Sequence, residues 1–251
     1  MAEEGKYLYC IIETNQARNF GPLGIGGKGD PVITISHDEL SCVISNAPIK
    51  KYVTTRENTI AHEKAIEEVM RQGYGVLPVR FGTVADSAQE VRDVLRKRYR
   101  ELKDLLRDMD NKVELGLKAS WLDMEAIFAE IVEERGDIRA LRNRAARKPT
   151  RDSMMRVGEL VQEALGKKKQ KEVALLLDAV KKLHTDVRIN NNFGDRMFLN
   201  AAFLVDRSWE KEFDDKIEEL RVKYADRMKL SYIGPVPPFN FVNIVIHWEA
   251  R

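Results

Sequence analysis

Alternating apolar and polar positions mark the beginning of the chain. The stretch 7–13 alternates in the manner of a strand, and two further strand-like runs follow at 32–35 and 40–44. Successive side chains of a strand point to opposite faces, so this period of two predicts sheet structure with buried faces. The N-terminal region is therefore predicted to be rich in β-strands.

Helical spacing of apolar residues appears next. Apolar positions three and four apart predict a helix over 56–70, and a short strand is predicted at 75–81. Ser87 and Glu90 have the spacing of a capping box, in which a hydroxyl and a carboxylate satisfy free backbone N–H groups at a helix start. The apolar stripe that follows predicts one amphipathic helix as far as Met109.

The second half of the chain repeats the mixture of strands and helices. Strict alternation over 112–121 predicts a half-buried strand, and the region 123–187 is helical in composition. Breaks in that region are predicted at Gly136, Pro149 and Gly166. Beyond it, the pattern predicts a strand at 197–205, a helix at 209–224, a strand at 229–233 and a closing strand at 239–248.

Short strands interleaved with helices favour an α+β fold of two domains over one doubly wound parallel sheet. Residues 1–110 are predicted to form an N-terminal domain that is a modified ferredoxin-like sandwich. Residues 111–251 are predicted to form a C-terminal α+β domain with additional helices and a proline-rich closing segment. At 251 residues, the chain is near the length at which one core divides into two.

Charge and composition exclude several classes of function. Forty-two Lys and Arg balance forty Asp and Glu, so the net charge is only +2 and gives no overall attraction to nucleic acid. The basic runs 139–151 and 167–171 are interpreted as solvated helix faces, because acidic residues are interleaved nearby. No apolar run approaches the ~20 residues of a membrane-spanning helix, so a soluble, cytoplasmic protein without membrane or nucleic-acid partners is expected.

Candidate metal and catalytic motifs are incomplete. His62 and Glu63 begin the spelling H-E-x-x-H, but Ile66 stands where the second histidine ligand belongs. Cys10 and Cys42 lie in strand-like runs and are expected to be buried thiols, since the chain has no C-x-x-C pair. No metal, cofactor or catalytic residue is predicted.

The loop Gly24–Gly29 reads GIGGKG and satisfies the dinucleotide-binding spelling G-x-G-x-x-G. That spelling binds a pyrophosphate only where the glycines open a helix, because the N–H groups at the helix N-terminus contact the phosphates. Here a strand at 32–35 follows, so a mobile loop is favoured. A nucleotide-binding protein or enzyme that uses this loop remains the alternative function.

The stretch 76–83, which reads VLPVRFGT, has a proline inside a strand-like run, and the composition of the chain does not explain it. Pro78 cannot donate to a ladder and therefore indicates a sheet edge or a bulge. Arg80 follows where the strand ends. Two interpretations stay open for Arg80: it pairs with a carboxylate such as Glu63 and joins helix to sheet, or it is a recognition residue at an open edge.

Taken together, several segments resemble the gas vesicle protein GvpL/GvpF family. The residues that carry the resemblance are Tyr7-Leu8-Tyr9, the glycine loop with 32–33 and 40–45, His62-Glu63, 76–83, 113–118, 200–205 and the ending 234–242. One departure is that Val236 and Phe239 stand where the family commonly has Trp and Tyr.

The resemblance implies an accessory structural or assembly protein of gas vesicles, which are hollow buoyancy organelles with a protein wall. It implies that the chain binds the small apolar shell protein and other accessory proteins early in vesicle formation, without enzymatic activity or cofactor. It also implies a minor component of the vesicle, on the gas-facing side of the wall.

Site residues follow from the family's use of sheet edges and apolar patches at a growing shell. Partner-binding residues are predicted to be Pro78, Arg80, Phe81, Phe239 and Phe241. Structural residues are predicted to be His62, Glu63, Gly82, Gly234 and Pro235.

Overall fold

The computed structural model describes residues 3–25, 29–147 and 149–248. Two antiparallel sheets with helices give the predicted α+β class. The chain divides into two compact units, of which the first is Met1–Glu114 with Gly234–Arg251 and the second is Leu115–Ile233. The closing segment, expected in the C-terminal domain, thus groups with the first unit. That two independently folding domains meet at residue 110 stays a prediction.

The first unit contains one sheet with strand order β2-β3-β1-β4, and β5 also pairs with β1. The strands are β1 Glu4–Glu13, β2 Ile33–His37, β3 Leu40–Pro48, β4 Leu77–Pro78 and β5 Val84–Ala85. Strand β1 is buried at nearly every position because apolar clusters cover both of its faces. A register shift between Leu8 and Cys10 turns Tyr9 and Cys10 into the same cluster, as an extra residue in a ladder does.

Three helices of the first unit pack beside this sheet. They are α1 Arg56–Arg71, α2 Ala88–Lys97 and α3 Tyr99–Asp108. The single helix predicted as far as Met109 is wrong, because Arg98 leaves the helical conformation at φ −108° and ψ 17°. Its guanidinium binds Glu101 and the carbonyl of Val245. The apolar stripe keeps its spacing through Leu95 and Leu102, so periodicity could not reveal the break.

The cap predicted at Ser87 is confirmed. Its Oγ accepts the Glu90 N–H at 3.2 Å, and the Glu90 carboxylate accepts the N–H of Asp86. Ser87→Ala should lower the free energy of unfolding by about 1 kcal/mol, because one backbone donor at the helix start loses its acceptor. Hydrogen exchange of the Glu90 amide should accelerate, whereas Ser87→Asp, which preserves the cap, should leave it slow. Equal exchange in both variants would contradict the role of the hydroxyl.

The second sheet has strand order β7-β8-β6-β9. Its strands are β6 Lys112–Trp121, β7 Asp186–Ile189, β8 Met197–Asp206 and β9 Met228–Val236. The helices of the second unit are α4 Met124–Glu134, α5 Gly136–Arg147, α6 Arg151–Val180 and α7 Glu210–Lys223. The strand predicted at 112–121 has these same bounds in the structure. Among the described residues, no helix has the length and apolar character needed to cross a bilayer.

Two other sequence predictions in this region are wrong. Gly166 does not end a helix, because α6 continues through it; a Cβ there would meet no atom within 4 Å, so a side chain is not needed for packing. Residues 186–187 begin strand β7 rather than continuing the helical region, since they pair with Phe203 and Leu204 of β8. Both differences arise from tertiary contacts that local composition does not encode.

Candidate functional site

The edge of the first sheet at Pro78 is paired with the end of the chain. Val79 and Ile244 form a parallel bridge, in which the Ile244 N–H donates to the Pro78 carbonyl and the Arg80 N–H donates to the Ile244 carbonyl, each at 2.9 Å. The prediction of an open sheet edge at Pro78 is therefore wrong. Pro78 itself is buried, and it pairs with Cys10 of β1.

The closing segment makes this contact without forming the strand predicted over 239–248. Pro237 and Pro238 are buried and start a turn, in which the Phe239 N–H donates to the Pro237 carbonyl and the Val242 N–H donates to the Pro238 carbonyl. The proline rings fix the backbone and cannot donate to a ladder, so the chain turns here and only Ile244 joins the sheet.

Pairing of these two segments brings four of the five predicted partner-binding residues into one region. The Phe81 and Phe239 rings lie 5.6 and 6.4 Å from the His62 ring, and both are half-buried. Arg80 precedes Phe81 and is exposed. Phe241 is half-buried in the same turn as Phe239. The His62 cluster is defined here as Tyr7, Tyr9, His62, Phe81 and Phe239.

His62 is buried at the centre of this cluster. The Tyr7 hydroxyl accepts the Gly82 N–H at 3.0 Å and makes a second hydrogen bond with His62 Nδ1, 3.1 Å away, while His62 Nε2 is buried without a hydrogen-bond partner among the described residues. Burial lowers the pKa of His62 from 6.5 to about 4, which outweighs the opposite effect of the nearby Val79 backbone. Gly82 has φ +80°, a conformation that suits glycine.

Tyr9 connects the same cluster to the glycine loop. Its hydroxyl accepts the Ile25 N–H at 2.7 Å and contacts Ser45 Oγ at 2.8 Å. Gly24 donates its N–H to the Asp30 carbonyl, and a Cβ on Gly24 would lie 2.7 Å from Asp30, so the close approach requires glycine.

The glycine loop leads into β2, and no helix begins after it, so the helix N-terminus that a dinucleotide site needs is missing from this place. Gly26, Gly27 and Lys28 of the nucleotide-binding alternative lie outside the described residues. Across 3–25, 29–147 and 149–248, no group of three or more His, Cys, Asp or Glu side chains could hold a metal ion.

The remaining predicted structural residues, Glu63, Gly234 and Pro235, lie outside the His62 cluster, and Glu63 does not pair with Arg80. Arg80 forms no ion pair with Glu63 or any other carboxylate of the described residues. Glu63 is half-buried on α1, where burial and the neighbouring Glu67 raise its pKa. Gly234, at φ +150°, and Pro235 are exposed near the end of β9.

Glu114 is a residue of this region that the sequence reasoning missed. It is buried, and its carboxylate accepts the N–H of Asn240 at 2.8 Å and the side-chain amide of Asn240 at 2.5 Å. Burial raises the pKa of Glu114, and the bonds from Asn240 oppose this. Strand β6 is thereby joined to the turn that carries Phe239. The alternation of β6 placed Glu114 on the polar face, and no local signal pointed to a partner so distant in sequence.

Comparisons with known proteins agree with this architecture. A crystal structure of the gas vesicle protein GvpF from Anabaena shares the fold at a TM-score of 0.82, with 24% identity over 96% of this chain and 99% of that one. The GvpF crystal structure from Microcystis aeruginosa has a TM-score of 0.80, with 26% identity over 94% and 98% of the two chains.

Sequence relatives extend over almost the full length of both partners. Gas vesicle protein F of a Streptomyces strain is 31% identical over 94% of this chain and 98% of its own. Gas vesicle protein F of Dolichospermum flosaquae is 27% identical over 95% and 97%. The model of the family described as gas vesicle synthesis protein GvpL/GvpF matches residues 5–243. The chain therefore belongs to the GvpL/GvpF family of gas vesicle proteins.

Proposed function

We propose that the protein is an accessory protein that acts early in gas vesicle formation by binding shell protein that has not yet assembled. In this proposal it works in the cytoplasm with other accessory proteins of the vesicle, and it remains as a minor component on the gas-facing side of the wall. The observation that carries the proposal is the surface made by Arg80, Phe81 and Phe239 over buried His62.

Side chains, rather than a sheet edge, would make the contact. The backbone at 78–80 is already bonded to Ile244, so an added strand has no free ladder there. Two half-buried aromatic rings on a rigid support offer apolar area at little entropic cost, and aromatic residues and arginine are enriched in protein interfaces. Arg80, exposed beside them, adds a guanidinium that can bond a carbonyl or a carboxylate of the partner.

The test is retention of the family's small shell protein by the tagged, full-length chain after co-expression, so that the shell protein is captured before it assembles. Arg80→Glu with Phe81→Ala should reduce retention at least tenfold, which corresponds to about 1.4 kcal/mol. Arg80→Glu alone should also reduce it, and this variant changes only an exposed side chain.

The matched control replaces an exposed arginine and an exposed apolar residue of the same unit, Arg100→Glu with Val53→Ala. It should retain shell protein as the wild type does. Circular dichroism must show that each variant is folded. Unchanged retention by folded Arg80→Glu and by the folded double variant would rule out this surface. No retention by the wild type would rule out direct binding of the shell protein.

A further inference from the structure

The two basic runs of the second unit differ in how their charges are satisfied. In the second run, Lys167 pairs with Glu163, and Lys168 pairs with Glu130 and Glu134. This run agrees with the interpretation as a helix face with interleaved acids. Two of its four lysines are compensated locally, whereas Lys169 and Lys171 have no ion pair with a described residue, so its attraction for an outside anion is reduced.

The first run is not compensated in this way. Five exposed arginines lie on α5 and at the start of α6, and none has an ion pair with any described residue: Arg139, Arg142, Arg144, Arg147 and Arg151. The acidic neighbours at either end are Asp137, Asp152 and Glu159. Asp137 pairs with Arg135, and Glu159 pairs with Arg156. Residues 138–151 contain six cations and no acid in a chain whose net charge is +2, so the rest of the chain is net negative.

Helices α5 and α6 hold these arginines at the surface. Ile138 and Ala145 are the buried residues of α5, which packs against α6, and all four arginines of α5 are exposed to solvent. Thr150 caps α6 by accepting the Ser153 N–H, and this fixes the first turn that carries Arg151.

Two exposed methionines lie beside Arg151 on α6. Met154 and Met155 are 63% and 56% exposed, and they lie three and four positions after Arg151, which puts all three on one face of α6. The arginine tip is defined as the five arginines above with Met154 and Met155. A solvated helix face gains nothing from two exposed thioethers, whereas Met and Arg are both enriched in protein interfaces.

We propose that the arginine tip is a docking surface for an acidic segment of a partner protein that also carries apolar side chains. Guanidinium groups bind carboxylates through two parallel hydrogen bonds, and the flexible methionines accept apolar side chains of varied shape. The proposal concerns a different unit from the Arg80 surface and does not depend on the shell-binding proposal.

Nucleic acid fits this surface less well than an acidic protein does. Residues 136–160 contain no aromatic side chain on which a base could stack. Phosphate contacts alone would leave Met154 and Met155 without a role. An anionic lipid surface is also disfavoured, because membrane-binding helices expose Trp, Phe or Leu on the apolar face, whereas the exposed large apolar residues of 136–160 are Met154 and Met155.

Fluorescence anisotropy of the full-length chain with four labelled probes tests the proposal. The probes are a 16-residue Glu peptide with interspersed Leu, the same peptide with Gln for Glu, a 20-base-pair DNA duplex, and vesicles with anionic lipid. The wild type should bind the Glu-Leu peptide most tightly, and binding should weaken from 50 to 150 mM salt. Arg144→Glu with Arg147→Glu and Arg151→Glu should weaken it at least tenfold.

A control for charge alone is Lys118→Glu with Lys182→Glu and Lys229→Glu, which changes the net charge equally at exposed sites elsewhere. It should bind within twofold of the wild type. Met154→Ser with Met155→Ser should weaken binding of the Glu-Leu peptide severalfold and leave binding of a fifth probe, a 16-residue all-Glu peptide, unchanged. Three results would each overturn the proposal: failure of the wild type to bind the Glu-Leu peptide, an equal loss of peptide affinity in the lysine control variant, or tighter binding of DNA or vesicles than of the peptide.

Discussion

Replacing Arg227 by methionine should lower the free energy of unfolding of the second unit by about 3 kcal/mol. The Arg227 guanidinium makes two bonds to the Glu130 carboxylate, at 2.8 and 3.1 Å, and binds Glu172 Oε1 at 2.8 Å through Nε. Lys168 binds Glu130 from the other side at 3.0 Å. The four side chains join α4, α6 and the turn before β9.

The expected loss is large because the carboxylates would be left behind. The Glu172 side chain is only 10% exposed, so it cannot regain full hydration when its cation is removed. Hydrogen bonds from Arg227 and Lys168 lower the pKa of Glu130 to about 2, which shows how strongly the folded state favours its charged form. Without Arg227, Glu172 would have no cation partner among the described residues, and Glu130 would share Lys168 with Glu134.

Urea unfolding followed by tryptophan fluorescence, with hydrogen exchange of the β6 amides, measures the effect. Arg221→Met removes an exposed pair with Glu218 and should cost less than 0.5 kcal/mol. Adding Glu130→Gln and Glu172→Gln to Arg227→Met should restore at least half of the loss, because the unpaired charges disappear. A loss equal to that of Arg221→Met, or no recovery in the triple variant, would show that the network does not stabilise the unit.

The sequence predicted those elements whose signal is local. Strand β6 was predicted with its observed bounds because five alternating apolar positions specify one buried face. The Ser87 cap was predicted because a capping box needs only two residues three apart. The fold class and the family followed from the order of such elements and from motifs spread over the chain.

The errors arose where a distant contact decides the conformation. The helix divides at Arg98 because its guanidinium reaches the Val245 carbonyl, and the apolar spacing is the same with or without that break. The strand predicted at 239–248 had a suitable apolar pattern, but the two buried prolines turn the chain, and the ladder partner at Val79 is used at one position only.

The candidate site was half predicted for the same reason. Arg80, Phe81 and Phe239 were predicted to bind a partner from two separate motifs, and that role stays a prediction. Their proximity could not be inferred, because it depends on pairing between main chains from opposite ends of the sequence. The ion-pair network at Arg227 had no sequence signal, since Glu130, Glu172 and Arg227 lie far apart in the chain and no local spacing relates them.

Acidification from pH 7.5 to pH 4 should reduce the stability of the first unit by about 3 kcal/mol through His62 alone. The unfolded imidazole takes up a proton near pH 6.5, whereas burial holds the pKa of folded His62 at about 4. Between these values the unfolded state binds more protons, so stability is complete above pH 6.5 and is lost as the pH falls towards 4.

His62→Gln isolates this contribution. Glutamine does not titrate, and its amide can still hydrogen-bond to the Tyr7 hydroxyl, so the variant should remain folded. Other groups also titrate in the wild type: burial raises the pKa of Glu63 and of Glu114, which opposes the His62 effect. Their contributions cancel in the difference between wild type and variant. The contribution of Glu130, whose pKa is lowered from 4.5 to about 2, develops between these two pH values and cancels in the same way.

Hydrogen exchange of the β1 amides at pH 7.5 and pH 4, corrected for intrinsic rates, measures the opening free energy of the first unit. The wild type should lose about 3 kcal/mol more than His62→Gln over this range. His247→Gln, a change at an exposed ring, should follow the wild type. If wild type and His62→Gln lost equal stability, the histidine would not be the neutral, buried centre of the cluster, and the rigid support inferred for Phe81 and Phe239 would lose its basis.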